Sequence, residues 1–349
     1  MGIHLAAAGC AATPKADVPK PCPQEKFARP HVDVLEGAAR KQVNIGGKQI
    51  IAELCHLDTA APDMKHEWFN EAIHSLHIAP DGGLIVLDHE GNLRRYVEVP
   101  GEGCRLALDS AFGRNGLLNI PRRMPIEAIS VVETGSILVS SDFETRRYKS
   151  GMLSRAKCSV HSVIGRGKVG FKMDGGRILV VDTQGQCEEK KWPIEGWGDT
   201  EKLAISFVHP WGDDVIVGAS VEGTHYVAIH DRDGKQKVKV GKSWDDASAK
   251  EDERICWARD ADACGDKLCV LDSNCRKLTV WDRQSGAFVG SVKMGDLVGL
   301  EYPWPVDLVV GKSAAYLAVS HEEKATSDDP LRRKEWHVGM IFRIKGLYQ

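Results

Sequence analysis

The stretch Asp81-Gly-Gly-Leu-Ile-Val-Leu-Asp88 decides the fold. It is a tight turn, then a short run of large apolar residues, then a polar stop. A strand with that composition is covered on both faces. The Gly-Gly before it supplies the backbone freedom of a hairpin turn.

Variants recur along the chain. They read Thr134-Gly-Ser-Ile-Leu-Val-Ser140, Asp174-Gly-Gly-Arg-Ile-Leu-Val-Val-Asp182 and Gly212-Asp-Asp-Val-Ile-Val-Gly-Ala-Ser220. Two more are Cys264-Gly-Asp-Lys-Leu-Cys-Val-Leu-Asp272 and Gly311-Lys-Ser-Ala-Ala-Tyr-Leu-Ala-Val-Ser320. Alternating segments precede most copies, such as Ala72–Ile78, Ala128–Val132, Leu203–Val208 and Val306–Val310, and a third segment often follows. Strand, hairpin, strand, loop, strand at roughly 40–50 residues is the period of a propeller blade. The expected fold is an all-β, six-bladed β-propeller. The pattern resembles NHL-type and related six-bladed propellers over residues 40–349, whose blades carry a loose Asp-Gly-x-hydrophobic-Val-x-Asp core.

The chain ends on Val338-Gly-Met-Ile-Phe-Arg-Ile344, a third-strand pattern with no fourth strand behind it. Residues 41–55 carry strand signals ahead of the first full repeat. The expectation is that the last blade is closed by an N-terminal strand, which removes the open edges of the ring. Residues 31–349 then form one domain. Three stretches read as loops: Pro62–Phe69, Arg105–Pro125 and the charge-dense Glu322–Glu335.

Residues 1–30 read as a tail. Leu5-Ala-Ala-Ala-Gly-Cys10 resembles the end of a bacterial lipoprotein signal, which would make Cys10 a lipidation site, with a Pro- and Ala-rich tether behind it. The cell envelope is then the expected location. Too few residues stand before Cys10 for a full signal, so an ordinary arm on a cytoplasmic protein is the other reading.

Composition excludes several classes. Charge is nearly balanced, at 46 Lys plus Arg against 49 Asp plus Glu. That is no electrostatic footprint for nucleic acid. No apolar run is long enough to span a membrane, so membrane contact is expected only through the lipid.

The chain has 10 Cys, none in a CxxC pair. Zinc knuckles are not offered by Cys256, Cys264, Cys269 and Cys275. In a blade, the start of the innermost strand and the loop after the second strand share one end. Cys256–Cys275 is therefore the expected disulfide, Cys264 lies at the other end, and Cys269 is a buried thiol.

The same geometry places candidate ligand residues on one face. Loops leading to the inner strands offer His74, Glu127, Arg259, Asp260 and Asp307. Loops after the second strands offer His89, Glu90, Asp142, Glu222, Asn274, His321 and Glu322. Glu127, Asp260 and Asp307 could hold a divalent cation (Ca, Mg or Zn), with His74 or His321 as base. That would be a hydrolase or lyase resembling six-bladed lactonases. Asp and Ser at strand ends also cap turns with no further role. By simple alternation His74 and His77 lie on opposite strand faces. Trp192, Trp197, Trp211 and Trp304 sit near Pro or Gly, to plug gaps between blades or to line a ligand funnel. No catalytic motif is present. The first reading is thus a binding scaffold for a protein, peptide or glycan, with the metal-dependent enzyme as alternative.

Overall fold

The computed structural model describes residues 39–58, 73–88, 91–120, 128–131, 137–140, 145–149, 152–155, 162–164, 169–174, 177–182, 189–197, 202–242, 246–312, 314–324 and 335–347. Cys10, Glu127, His89, Glu90 and Asp142 lie outside them, as do residues 1–30.

The strands sort into four-stranded antiparallel units. Four are separate sheets, and a ten-stranded sheet contains the first and last units joined edge to edge. Unit one is Ile73–Ile78, Leu84–Asp88, Asn92–Glu98 and Cys104–Leu108. Unit two runs from Ala128–Val131 to Met152–Arg155, and unit three from Ser162–Ile164 to Glu189–Lys191. Unit four is Leu203–Trp211, Asp214–Val221, Thr224–Asp231 and Gln236–Val240. Unit five is Ala258–Cys264, Lys267–Asp272, Lys277–Asp282 and Phe288–Lys293, with a short helix, Met294–Val298, behind it. Unit six is Pro303–Val310, Ala315–Lys324, Glu335–Lys345 and the N-terminal strand Lys48–Asp58. The first strand of each unit contacts the first strand of the next, and that of unit six contacts that of unit one. The ring closes on itself, which is a propeller.

The second strand of unit one, Leu84–Asp88, is buried along its whole length. Apolar clusters fill the spaces between neighbouring units. Ile85, Leu87 and Leu93 of unit one meet Ile137 and Val139 of unit two, for example. Its turn departs from a two-residue hairpin. Ala79 N–H donates to the Gly83 carbonyl around the loop, and only Gly82 takes a positive φ, of 91°. At Gly83, whose φ is ordinary, a Cβ would lie 2.6 Å from the Arg95 guanidinium, so any side chain there would have to displace that group.

The closing strand is where the sequence places it. Ile51 to Leu54 pair antiparallel with Lys345 to Phe342. Farther along, the same strand pairs in parallel with Cys104–Leu108 of unit one, and Cys55 faces Cys104 and is bonded to it. Beside this seam the buried Arg343 pairs with Glu53 (Nη2–Oε2, 2.5 Å) and with Glu98, and donates to the Gly103 carbonyl. The Tyr316 hydroxyl donates to Glu98, and Lys345 adds a second cation to Glu53 at 2.9 Å. Strands from both ends of the chain are thus held together at one place.

Several expectations are corrected. The Asp174–Asp182 repeat is the third strand of its unit, not the second, because Gly-Gly marks a hairpin without saying which hairpin of a meander it is. Residues 105–108 belong to a strand that starts at Cys104, so the segment before unit two begins later than Arg105. His321 to Lys324 extend the second strand of unit six and pair with Val338 to Glu335. His321 is therefore a buried strand residue rather than a loop residue. Cys269 is buried, but it is bonded to Cys264 and is no free thiol.

Candidate binding face and axial carboxylates

Inner strands of a propeller have one edge with no sheet partner, and that edge must be satisfied another way. Four inner strands carry a β-bulge at equivalent positions: His74, Ser206, Arg259 and Val306. One residue past the bulge come Ser75, Phe207, Asp260 and Asp307. Three past it come His77, His209, Asp262 and Val309.

The acids among these reach across to the next inner strand. Leu308 N–H donates to Asp260 Oδ2 at 3.0 Å, and Leu76 N–H donates to Asp307 Oδ2 at 2.5 Å. Both amides lie two residues past their own bulge, so the same bond is made from unit five to six and from six to one. Val310 N–H donates to Asp262 Oδ2 at 2.9 Å. Arg259 Nε donates to the Val306 carbonyl, and His209 Nδ1 lies 3.1 Å from Asp260 Oδ1. Asp260 and Asp307 are hydrogen-bonded to each other.

Electrostatics separates these groups. Burial, then the Asp260 charge, raises Asp307 well above the usual carboxylate range. Burial also works to raise Asp260, but His209, Asp307 and two backbone amides outweigh it and hold it low. Asp307 therefore keeps the shared proton. Burial and the same Asp260 charge push Asp262 up to about 6. Burial and the neighbouring His209 push His77 down to about 3, so its ring is neutral. His74 also bears on His77. The bulge at His74 resets the alternation that would have kept the two apart.

Two of the three expected metal ligands, Asp260 and Asp307, are thus brought together, although each carboxylate is already engaged by backbone N–H groups. Among the described residues, the three-donor group within metal reach is Cys256, Asp272 and Cys275, a different place. Asp88 and Asp272, the polar stops of their strands, cap turns. Asp88 accepts the Asn92 amide at 2.8 Å, and Asp272 accepts the amides of Cys256, Trp257 and Cys275.

At the end where inner strands begin, the upper face, the structure joins residues the sequence singled out, Trp304, Glu222, Asn274, Cys256 and Cys275, with others it did not, Trp257, Tyr302, His225 and Arg276. Among the described residues four large apolar side chains are exposed, and Trp257, Tyr302 and Trp304 are three of them. Trp257 and Trp304 occupy equivalent positions, each two residues before the bulge of its strand. Each is contacted by a residue of the preceding unit, at or just before the start of its third strand. His225 packs on Trp257 with centroids 4.9 Å apart, and Arg276 lies 5.2 Å over Trp304. Glu222, on the same face, pairs with Lys202 at 2.5 Å. Asn274 is exposed in the turn before Arg276. Cys256 and Cys275 are bonded here, with Cα atoms 5.6 Å apart. Trp192 and Trp197 do fill space between units three and four, packed on Phe171, Tyr226 and His230. Trp304, however, is in a strand and 43% exposed.

No family model matches the chain, and no curated protein matches it. Among solved structures it is similar to the crystal structure of the WD40 β-propeller domain of Doa1, at 8% identity and a TM-score of 0.47, over 78% of this chain and 93% of that one.

Proposed function

We propose that the protein is a non-enzymatic binding propeller whose upper face takes a peptide segment of a partner protein. One observation carries this. Two exposed tryptophans stand at equivalent positions in adjacent units, each beneath an imidazole or guanidinium from the unit before. Exposed Trp and Arg are the side chains that dominate binding energy at interfaces. Among the described residues Arg276 has no carboxylate partner. A segment with a large apolar side chain and a nearby carboxylate suits this face, the apolar group against indole and the carboxylate on guanidinium.

The test is selection of displayed peptides on the full chain, alongside a glycan array. Peptides pairing apolar and acidic residues are expected, with binding lost on Trp257→Ala/Trp304→Ala and weakened at least tenfold by Arg276→Glu. Equal binding by those variants, or glycan binding alone, would overturn the peptide reading. The same proposal includes lipidation of Cys10 and residence at the envelope. Labelling with a fatty-acid probe that survives Cys10→Ser would remove that part.

The second reading, a metal-dependent hydrolase or lyase of lactonase type, draws on the convergence of Asp260, Asp262, Asp307, His77 and His209 at the axis. Tightly held Ca, Mg or Zn in protein purified without chelator, lost on Asp307→Asn, would favour it over the scaffold.

A further inference from the structure

We infer that Cys256, Cys275 and Asp272 form a redox-controlled site for a thiophilic divalent cation such as zinc, closed as a disulfide and opened by a dithiol. It stands independently of the partner reading.

The two sulfurs and an Asp272 carboxylate oxygen all lie within 4.8 Å of one another. Zinc–thiolate bonds of about 2.3 Å in a tetrahedron put two sulfurs roughly 3.8 Å apart. A dithiol at this place therefore needs only a small adjustment to become a chelate.

The disulfide is not what holds its two arms together. Asp272 Oδ2 accepts the Cys256 amide at 2.8 Å, and Oδ1 accepts the Trp257 and Cys275 amides at 3.0 and 3.2 Å. Ser273 N–H also donates to the Trp257 carbonyl. These bonds join the start of the inner strand to the loop after the second strand, and they persist when the S–S bond is cut. Reduction thus leaves two thiols side by side instead of letting them separate. Oδ2 accepts a single amide, so a lone pair remains for a metal.

Access and charge agree. Cys275 is exposed and Cys256 half-buried, so a reductant and a cation can both reach the sulfurs. Cys264–Cys269, by contrast, is buried. The nearby cation, Lys277, is tied to the carbonyls of Glu251 and Asp252 at 3.2 Å. A divalent ion with two thiolates is neutral, as the disulfide is, so loading the site leaves the Lys277–Asp272 balance unchanged.

The steps balance. A dithiol reductant gives two electrons and two protons to the S–S bond and is itself oxidised to a disulfide. Both cysteines are then thiols. The cation displaces the two thiol protons and is bound as a bis-thiolate with the Asp272 carboxylate.

The test uses the full chain. Protein reduced with dithiothreitol and freed of it anaerobically is titrated with Co²⁺, read by the thiolate-to-metal charge-transfer band. The band is expected in reduced protein, absent before reduction, and lost in Cys256→Ser/Cys275→Ser. Persistence of the band in that variant, or no band in reduced wild type, overturns the proposal. If the variant fails to fold, alkylation mapping of wild type decides. Zn²⁺ should protect Cys256 and Cys275 from iodoacetamide, and equal labelling with and without Zn²⁺ overturns the site.

Discussion

Asp307 is hydrogen-bonded to Asp260 across the boundary between the last two units, and the two carboxyls hold a single proton between them. The proton rests on Asp307. A group whose folded pKa is raised contributes stability that is complete below its unfolded pKa and is lost as pH rises through the folded value. Asp307→Asn cannot ionise, and its amide can still donate to Asp260. It gives up one of the two acceptors that hold Leu76 and Leu308, at a cost of about 1 kcal/mol. The variant should be less stable than wild type near the ordinary carboxylate pKa, with the gap narrowing or reversing as pH rises through the raised Asp307 value. The depressed His77 removes stability as pH falls, but it does so in both proteins and cancels in the difference. Parallel stability curves from pH 4 to 8, measured by urea unfolding, would show that Asp307 is not the proton holder.

Arg343 presents the opposite sign. Burial works to raise Glu53, but hydrogen bonds from Arg343 and Lys345 outweigh it and hold the carboxylate low. Glu53 thus contributes stability above its unfolded pKa, lost as pH falls through the lowered value. Arg343→Met removes the main partner of a buried charge and should cost about 3–5 kcal/mol at neutral pH. Adding Glu53→Gln to that variant should restore part of the loss. A double-mutant cycle with no coupling would show that the seam charges act separately.

The repeat was legible because a strand covered on both faces must be written in Val, Ile and Leu, and Leu84–Asp88 is. Closure was legible because a last unit short of a strand needs one from elsewhere. The axial acids were legible only as acids. Their role depends on bulges at His74, Ser206, Arg259 and Val306, and no residue type announces a bulge there. It depends also on which amide of the next unit stands opposite, which is a property of the ring. The face was legible in Glu222, Asn274 and Trp304, but its pairing of Trp304 with Trp257 was not, for a related reason. Trp257 and Trp304 are 47 positions apart in the chain, and only the register against Asp272 and Val319 shows them to be equivalent. Cys55–Cys104 escaped because its parallel strand pair joins the two ends of the ring.

That seam gives a further prediction. A chain beginning at Ala39 keeps the closing strand and the strand Arg40–Ile45 that pairs with it, whereas one beginning at His56 lacks the residues that pair with Phe342–Lys345. The first should unfold at the same urea concentration as the full chain. The second should lose cooperative unfolding, because the third strand of unit six is left with an open apolar edge. Replacing Cys55 and Cys104 by Ala is milder, at about 2–4 kcal/mol for a loop of this length. If the His56 chain unfolds cooperatively at an unchanged midpoint, the ring does not depend on this closure.

Two tryptophans separate stability from surface function. Trp281 is 1% exposed, donates from Nε1 to Thr279 at 2.9 Å and packs edge-on to Phe288. Trp281→Ala opens a cavity between units four and five and should cost about 3–5 kcal/mol. Trp304 is 43% exposed and touches Arg276. Trp304→Ala should shift stability by no more than about 1 kcal/mol. An indole left this exposed adds little to folding, so the expected loss at Trp304 lies in binding. If Trp304→Ala destabilised the domain as much as Trp281→Ala, that residue would be part of the packing between units, and the upper face would lose half of its aromatic pair.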